Sequence, residues 1–234
     1  MIHYLKALSE HFDIIFVSTA EKMKVEELNK IAPYAQQSIV KKNVGYDFGA
    51  WKTGIEIIKK STENLELLLL CNDSVFGPLS DLSVVINKMK AARKNVLSIS
   101  DSFEIKYHLQ SYFVLYDNMA FNSSTFIDFW NEFSVYENKQ ELIVQNEIGF
   151  SQLLLESELE IGALVPATEL GYLNNSHIHW KKSLIQYHSP FIKVELLRDN
   201  PFNIDLSDVE HLLTNKFNYP MSFIQERVDF SAKN

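Results

Sequence analysis

The chain has 234 residues, 46% hydrophobic and 22% charged, enough for one large α/β domain or a domain with a helical appendage. Its 30 acidic and 22 basic residues give a formal charge of −8, which lacks the basic footprint of a nucleic-acid binder and excludes nucleic acid as the expected partner. The single cysteine, Cys71, allows no internal disulfide, and no apolar run approaches the ~20 residues of a membrane span. With no signal-peptide pattern at the start, the expected location is the cytoplasm, with peripheral docking on the inner membrane face or an assembly complex left open.

Ile2, Leu5, Leu8 and Phe12 recur at helical spacing, so an amphipathic helix opens the chain. Ile14-Ile15-Phe16-Val17 is a continuous apolar run of the kind found in buried parallel strands. Met23, Leu28 and Ile31 mark a second helix ending near Pro33, and Ser38-Ile39-Val40 a short strand. A glycine-bearing loop over residues 43–49 leads into a helix with Trp51, Ile55 and Ile58 inward. The most apolar strand follows at 67–71, then a helix around Leu82, Val85, Ile86 and Met89 and a strand at 96–99. This alternation predicts an α/β fold, a doubly wound, mainly parallel sheet flanked by helices. Further on, the pattern predicts a strand at 108–116, a helical face of Phe126, Phe129, Trp130 and Phe133, a helix at 141–158, a strand at 161–165 and a helical tail from Leu206. Nucleotide-binding sheets of this kind open with a strand, and this chain opens with a helix, so the usual first strand is expected to be missing, either because it is absent or because the sequence begins downstream of the natural start.

Two segments could carry chemistry. Asn43-Val44-Gly45-Tyr46-Asp47-Phe48-Gly49-Ala50-Trp51-Lys52 lies between a strand and a helix, where ligands of such sheets bind. Its glycines let a backbone approach a ligand closely. Asp47 can accept hydrogen bonds from sugar or base hydroxyls, and Lys52 can meet a phosphate. A turn in which Asp47 caps the next helix fits the spacing equally well. The second segment, Leu68 to Pro78, ends an apolar strand in Asn72-Asp73-Ser74. A carboxylate there could share a divalent cation, Mg²⁺ or Mn²⁺, with a diphosphate; the competing reading is an Asx turn that ends the strand.

Other signals are poorer. There is no G-x-G-x-x-G and no G-x-x-x-x-G-K-[ST], and Gly149-Phe150-Ser151 lacks the second glycine of a nucleophile elbow. His177 and His179 could chelate a metal, but a lone His-x-His is more often a surface turn. Cys71 reads as a small core residue and not as a nucleophile.

Taken together, five stretches resemble the rhamnan synthesis F family of bacterial polysaccharide-assembly proteins: NVGYDFGAWKTG (43–54), LLLLCNDSVFGPL (67–79), HLQSYFVLY (108–116), NEIGFSQLLL (146–155) and SPFIKVELLRDNP (189–201). The resemblance implies a GT-A-like transferase domain over 1–205 with a helical extension, 206–234, packed on it. It implies a nucleotide-sugar donor such as dTDP-rhamnose and a polysaccharide or lipid-linked glycan acceptor. Asn72-Asp73-Ser74 takes the place of the metal-binding Asp-x-Asp, with Asp73 as metal or diphosphate contact. Only one carboxylate remains there, which weakens the case for metal. Asn43, Gly45, Asp47 and Lys52, with Asn72, Asp73 and Ser74, would line the donor site, and Glu147 falls where inverting transferases place a catalytic base. His108, Gln110 and Tyr112 alternate along a strand and share one face, either lining a sugar site or bonded within the core. His188 and Lys193, in or near the last matching stretch, are further candidates for the acceptor or sugar site. The enzyme reading is sugar transfer to a surface polysaccharide. The rival is a degenerate, non-catalytic module that binds glycan or scaffolds assembly.

Overall fold

The computed structural model describes residues 1–61, 64–136, 138–171 and 174–231. Helix α1 (Ile2–Ser9) leads to β1 (Ile15–Ser18), α2 (Val25–Ile31) and β2 (Gln37–Val40). The predicted apolar run at 14–17 is thus a strand. It pairs in parallel with β2 as a separate two-stranded sheet. Helix α3 (Tyr46–Ser61) then feeds β3 (Leu67–Cys71), the short β4 (Val75–Phe76), α4 (Leu82–Ala91) and β5 (Val96–Ser102). Asp81 caps α4 by accepting from the Ser83 N–H at 2.8 Å.

The stretch predicted as one strand over 108–116 is two: β6 (His108–Leu109) and β7 (Phe113–Asp117). Ser98 faces Val114 and Asp101 faces Leu109, so two residues of β5 oppose four of this segment. The excess is thrown out as a turn at Gln110–Tyr112, which breaks the alternation that would have put His108, Gln110 and Tyr112 on one face. After β7 come α5 (Asn118–Phe121), α6 (Ser124–Glu132), α7 (Lys139–Leu142), a π-helical segment (Ile143–Ile148), α8 (Gly149–Glu156) and β8 (Ile161–Val165). Strands β3, β5 and β8 run one way, while β7 and β6 run against them. The sheet is therefore mixed, with an antiparallel strand between β3 and β5 that the α/β alternation did not predict.

Alternating residues send side chains to opposite faces. Leu68, Leu70, Val96, Val114 and Tyr116 pack with Phe48 and Ile55 of α3, Phe126 and Trp130 of α6, and Phe150 and Leu154 of α8. Leu97, Ile99, Phe113, Leu115 and Val165 pack on the other face with Tyr4 and Leu8 of α1 and the inner face of α4. Each such side chain contributes on the order of 1.5–3 kcal/mol by leaving water.

The remaining elements build a third core. A 3₁₀ turn (Ala167–Glu169), α9 (Asn175–Ile178) and α10 (Trp180–Ile185) precede β9 (Ile192–Lys193), which pairs antiparallel with β4. Then α11 (Val194–Arg198), α12 (Val209–His211), a second π segment (Leu212–Lys216) and α13 (Met221–Ser231) complete the chain. Phe76, Leu79, Trp180, Leu184, Ile192, Leu196, Leu213 and Ile224 form one cluster. The helical tail is thereby packed against the segment just after Asp73.

Candidate functional site

The carboxyl ends of β3, β5 and β8 open on one edge of the sheet, the edge where open α/β sheets hold ligands. At the end of β3, Asn72 turns back on itself: its Oδ1 accepts from the Ser74 N–H at 3.1 Å and the Ser74 hydroxyl at 2.6 Å. This is the Asx turn read as the competing possibility, and it frees the Asn72 amide to donate to Asp47 Oδ2 at 2.8 Å. The two candidate segments therefore meet. The Trp51 indole N–H donates to the Cys71 carbonyl at 3.0 Å and ties α3 to the same strand end.

Glu147 reaches this edge from the π-helical segment, and its Oε1 accepts the Ser111 N–H at 2.8 Å in the turn between β6 and β7. Single-turn π distortions recur at functional sites. Glu147 and Ser111 border a cavity of about 20 Å³ walled by Phe48, Trp51, Trp130 and Phe150. Two cations join from the last third of the chain. Lys193 Nζ donates to Ser74 Oγ at 3.4 Å and stands 4.2 Å over the Tyr112 ring. Arg227, on α13, pairs with Asp73 Oδ2 at 2.8 Å.

The electrostatics place these groups in one field. The Asp47 carboxyl is pushed above the usual carboxylate range, first by desolvation and then by the charge of Asp73, with Glu147 adding a smaller push. The Asn72 hydrogen bond and the Lys193 charge oppose that shift. Burial drives the Cys71 thiol up to about 11, so it stays protonated and behaves as core.

Other candidate residues are placed differently. Gly45 (φ +79) and Gly49 serve packing. A side-chain carbon on Gly49 would lie 1.9 Å from the Val44 carbonyl oxygen, and one on Gly45 would lie 3.1 Å from the Phe133 ring. Lys52 stands 5.6 Å over the Phe133 ring. Five residues advance a helix by roughly 140° beyond a full turn, which turns Lys52 away from Asp47. Asn43 and His188 are exposed in loops. Gln110 and Tyr112 are buried and bonded to Ser100, the Ser100 hydroxyl donating to Gln110 Oε1 at 2.6 Å and lying 2.7 Å from the Tyr112 hydroxyl. His108 is buried with Nδ1 2.9 Å from the Lys106 carbonyl. Of the sugar-face trio, two thus form a core network and the third closes a turn. His177 is also buried, its Nδ1 3.0 Å from Asn174 Oδ1 and its Nε2 3.3 Å from the Glu195 carboxylate.

The carboxylates at this edge are engaged by protein donors. Each carboxylate already spends an oxygen on a protein donor: Asp47 on the Asn72 amide, Asp73 on Arg227 and Glu147 on Ser111. Among the described residues no three His, Cys, Asp or Glu side chains converge as metal ligands. Arg227 was not a sequence candidate, for nothing marks one arginine in an amphipathic tail. Lys193 carried only its place in the last matching stretch.

The family profile of rhamnan synthesis protein F matches residues 14–233. The chain belongs to the rhamnan synthesis protein F family. Among curated relatives it is 26% identical over 196 residues to virulence protein VirA of Vibrio anguillarum, covering 70% of this chain and 62% of that one. It is 28% identical over 145 residues to the uncharacterized protein y4gN of Sinorhizobium fredii, covering 60% of this chain and 38% of that one. The chain thus spans less than two thirds of the length of either relative. Among the described residues no helix is long and apolar enough to cross a membrane.

Proposed function

We propose that the chain transfers a sugar, with rhamnose the first candidate, from a nucleotide-sugar donor to a growing bacterial surface polysaccharide. Family membership supports the substrate class. The observation that carries the chemistry is the meeting of Asp47, the Asn72-Asp73-Ser74 turn and Glu147, from three distant stretches, at the carboxyl edge of the sheet. In this reading Asp47 and Asn72 hold sugar hydroxyls. Glu147, aimed by the Ser111 N–H, takes the proton of the acceptor hydroxyl as that oxygen attacks the anomeric carbon. Reaction on the face opposite the leaving diphosphate inverts that carbon. The acceptor is a polysaccharide or lipid-linked glycan on the inner face of the membrane.

The test is rhamnosyl transfer from dTDP-rhamnose. Glu147→Gln should lower the rate on the order of 10²–10⁴-fold, the usual share of a general base, with donor binding retained. Asp47→Ala, which removes the contact to the sugar hydroxyls, should also lower transfer. Full turnover by both variants would sink the reading. One observation favours a non-catalytic glycan-binding module, namely that every carboxylate of the cluster has an internal partner. Glycan binding without nucleotide affinity would establish that alternative.

A further inference from the structure

Resting on the donor-site reading above, we infer that Lys193 and Arg227 form a cationic clamp that takes the diphosphate of the donor in place of a divalent metal. The two side chains engage consecutive residues of a single turn. Arg227 engages Asp73 at 2.8 Å and lies over the Phe76 ring at 6.0 Å. Lys193 engages Ser74 at 3.4 Å, and its backbone is fixed because it pairs with Val75 across β4 and β9. Their heads thus come from separate elements onto consecutive residues at the mouth of the sheet.

An Asx turn with one carboxylate offers a cation too few oxygens, while the same turn flanked by two positive heads is suited to an anion. Arg227 presents a planar fork for phosphate oxygens and Lys193 a compact charge. The Ser74 hydroxyl at 3.4 Å and the Asp73 carboxylate, whose side chain is 51% exposed, are contacts for which a dianion can compete. Lys193 also sits within range of Asp47, the group that would touch the adjoining sugar.

The role in transfer follows. The acceptor oxygen bonds to the anomeric carbon and its proton passes to Glu147. The bond from that carbon to the β-phosphate oxygen breaks, and its electron pair stays on that oxygen. Lys193 and Arg227 neutralise the charge that develops there.

The test is calorimetric titration of the full chain with inorganic pyrophosphate and with dTDP, in EDTA and again with Mg²⁺ or Mn²⁺. Both ligands are expected to bind in EDTA, with affinity falling as salt rises. Lys193→Met and Arg227→Met should each weaken binding about tenfold or more, while Lys193→Arg retains it. Unchanged thermal midpoints would show that the variants are folded. Binding of dTDP only with added metal, or variants that bind like the parent, would overturn the clamp and leave the donor reading standing. Clamp-dependent binding of pyrophosphate with no affinity for dTDP would leave the clamp and remove the donor reading. No binding of either ligand under any condition would overturn both.

Discussion

Gly49 sits in the first turns of α3 with the Val44 carbonyl oxygen 1.9 Å from where a side-chain carbon would be. Helix propensity alone favours alanine over glycine there by about 1 kcal/mol. The obstacle is backbone, though, and no rotamer relieves it. Gly49→Ala should therefore destabilise the fold by more than about 2 kcal/mol, read as a lower denaturant midpoint, and it should displace Asp47 with it. The charged residues carry opposite pH signatures. Asp47 has a raised folded pKa, so between the unfolded value near 3.9 and the folded one the native state holds more protons. Its contribution is greatest below that window and is lost as pH rises through the folded pKa. Asp47→Asn should thus raise the melting temperature at pH 7, and the gain should vanish below about pH 4. His177 runs the other way. Burial, reinforced by the Lys193 charge, lowers it to about 4, so stability is full above about pH 6.5 and falls as the pH drops toward 4. In His177→Gln the acid slope across that window should flatten; an unchanged slope would assign it to another group.

The π-helical segment and the broken β6–β7 strand are mated elements, because the Glu147 carboxylate fills the hydrogen-bonding need of the Ser111 N–H that the strand break exposes. Ser151 reinforces the joint, donating to the Glu147 carbonyl at 2.9 Å and accepting the Leu109 N–H at 3.0 Å. Glu147→Gln keeps an acceptor and should leave stability nearly unchanged. Glu147→Ala orphans the Ser111 N–H and should cost about 1–3 kcal/mol, seen in chemical denaturation of the two variants side by side. Equal stability of the pair would show that the joint is not structural. This scale also marks where sequence stops being informative. The apolar runs located β1, β3, β5 and β8 and the inner faces of α3 and α4, since burial and periodicity are written in side chains. A buried strand bears no mark of its direction, however, so the strand read at 108–116 gave no sign that it runs antiparallel. A π turn keeps the composition of an α-helix, and the strand break at Gln110–Tyr112 arises from pairing with β5. Both depend on contacts between distant segments. Asp47, Asn72 and Glu147 were found as residue types in suggestive places. That Asp47 and Asn72 bond, that Glu147 reaches the same edge and that Arg227 pairs with Asp73 are tertiary facts.

At the scale of the molecule, the third core links the tail of the chain to the site. Ile224 on α13 is buried with Leu213, Leu196, Ile192 and Phe76, and one turn further on the same helix carries Arg227 to Asp73. Tyr219 and Phe223 meet His3 of α1 with ring centroids 5.7 and 5.8 Å apart, so the first and last helices brace each other beside the same edge. The apolar face of α13 thereby sets where its one site-facing cation stands. Removing the anchor and removing the charge should therefore separate cleanly. Ile224→Ala leaves a cavity and should cost about 2–5 kcal/mol of stability. It should also weaken pyrophosphate binding in the folded protein, because the helix that aims Arg227 is loosened. Arg227→Gln should weaken binding with a smaller change in melting temperature than Ile224→Ala, since a partly exposed ion pair is worth about 0–1 kcal/mol. If Ile224→Ala lowered the melting temperature yet bound pyrophosphate as the parent does at 10 °C, α13 would be a stabilising strap with no part in placing the cation.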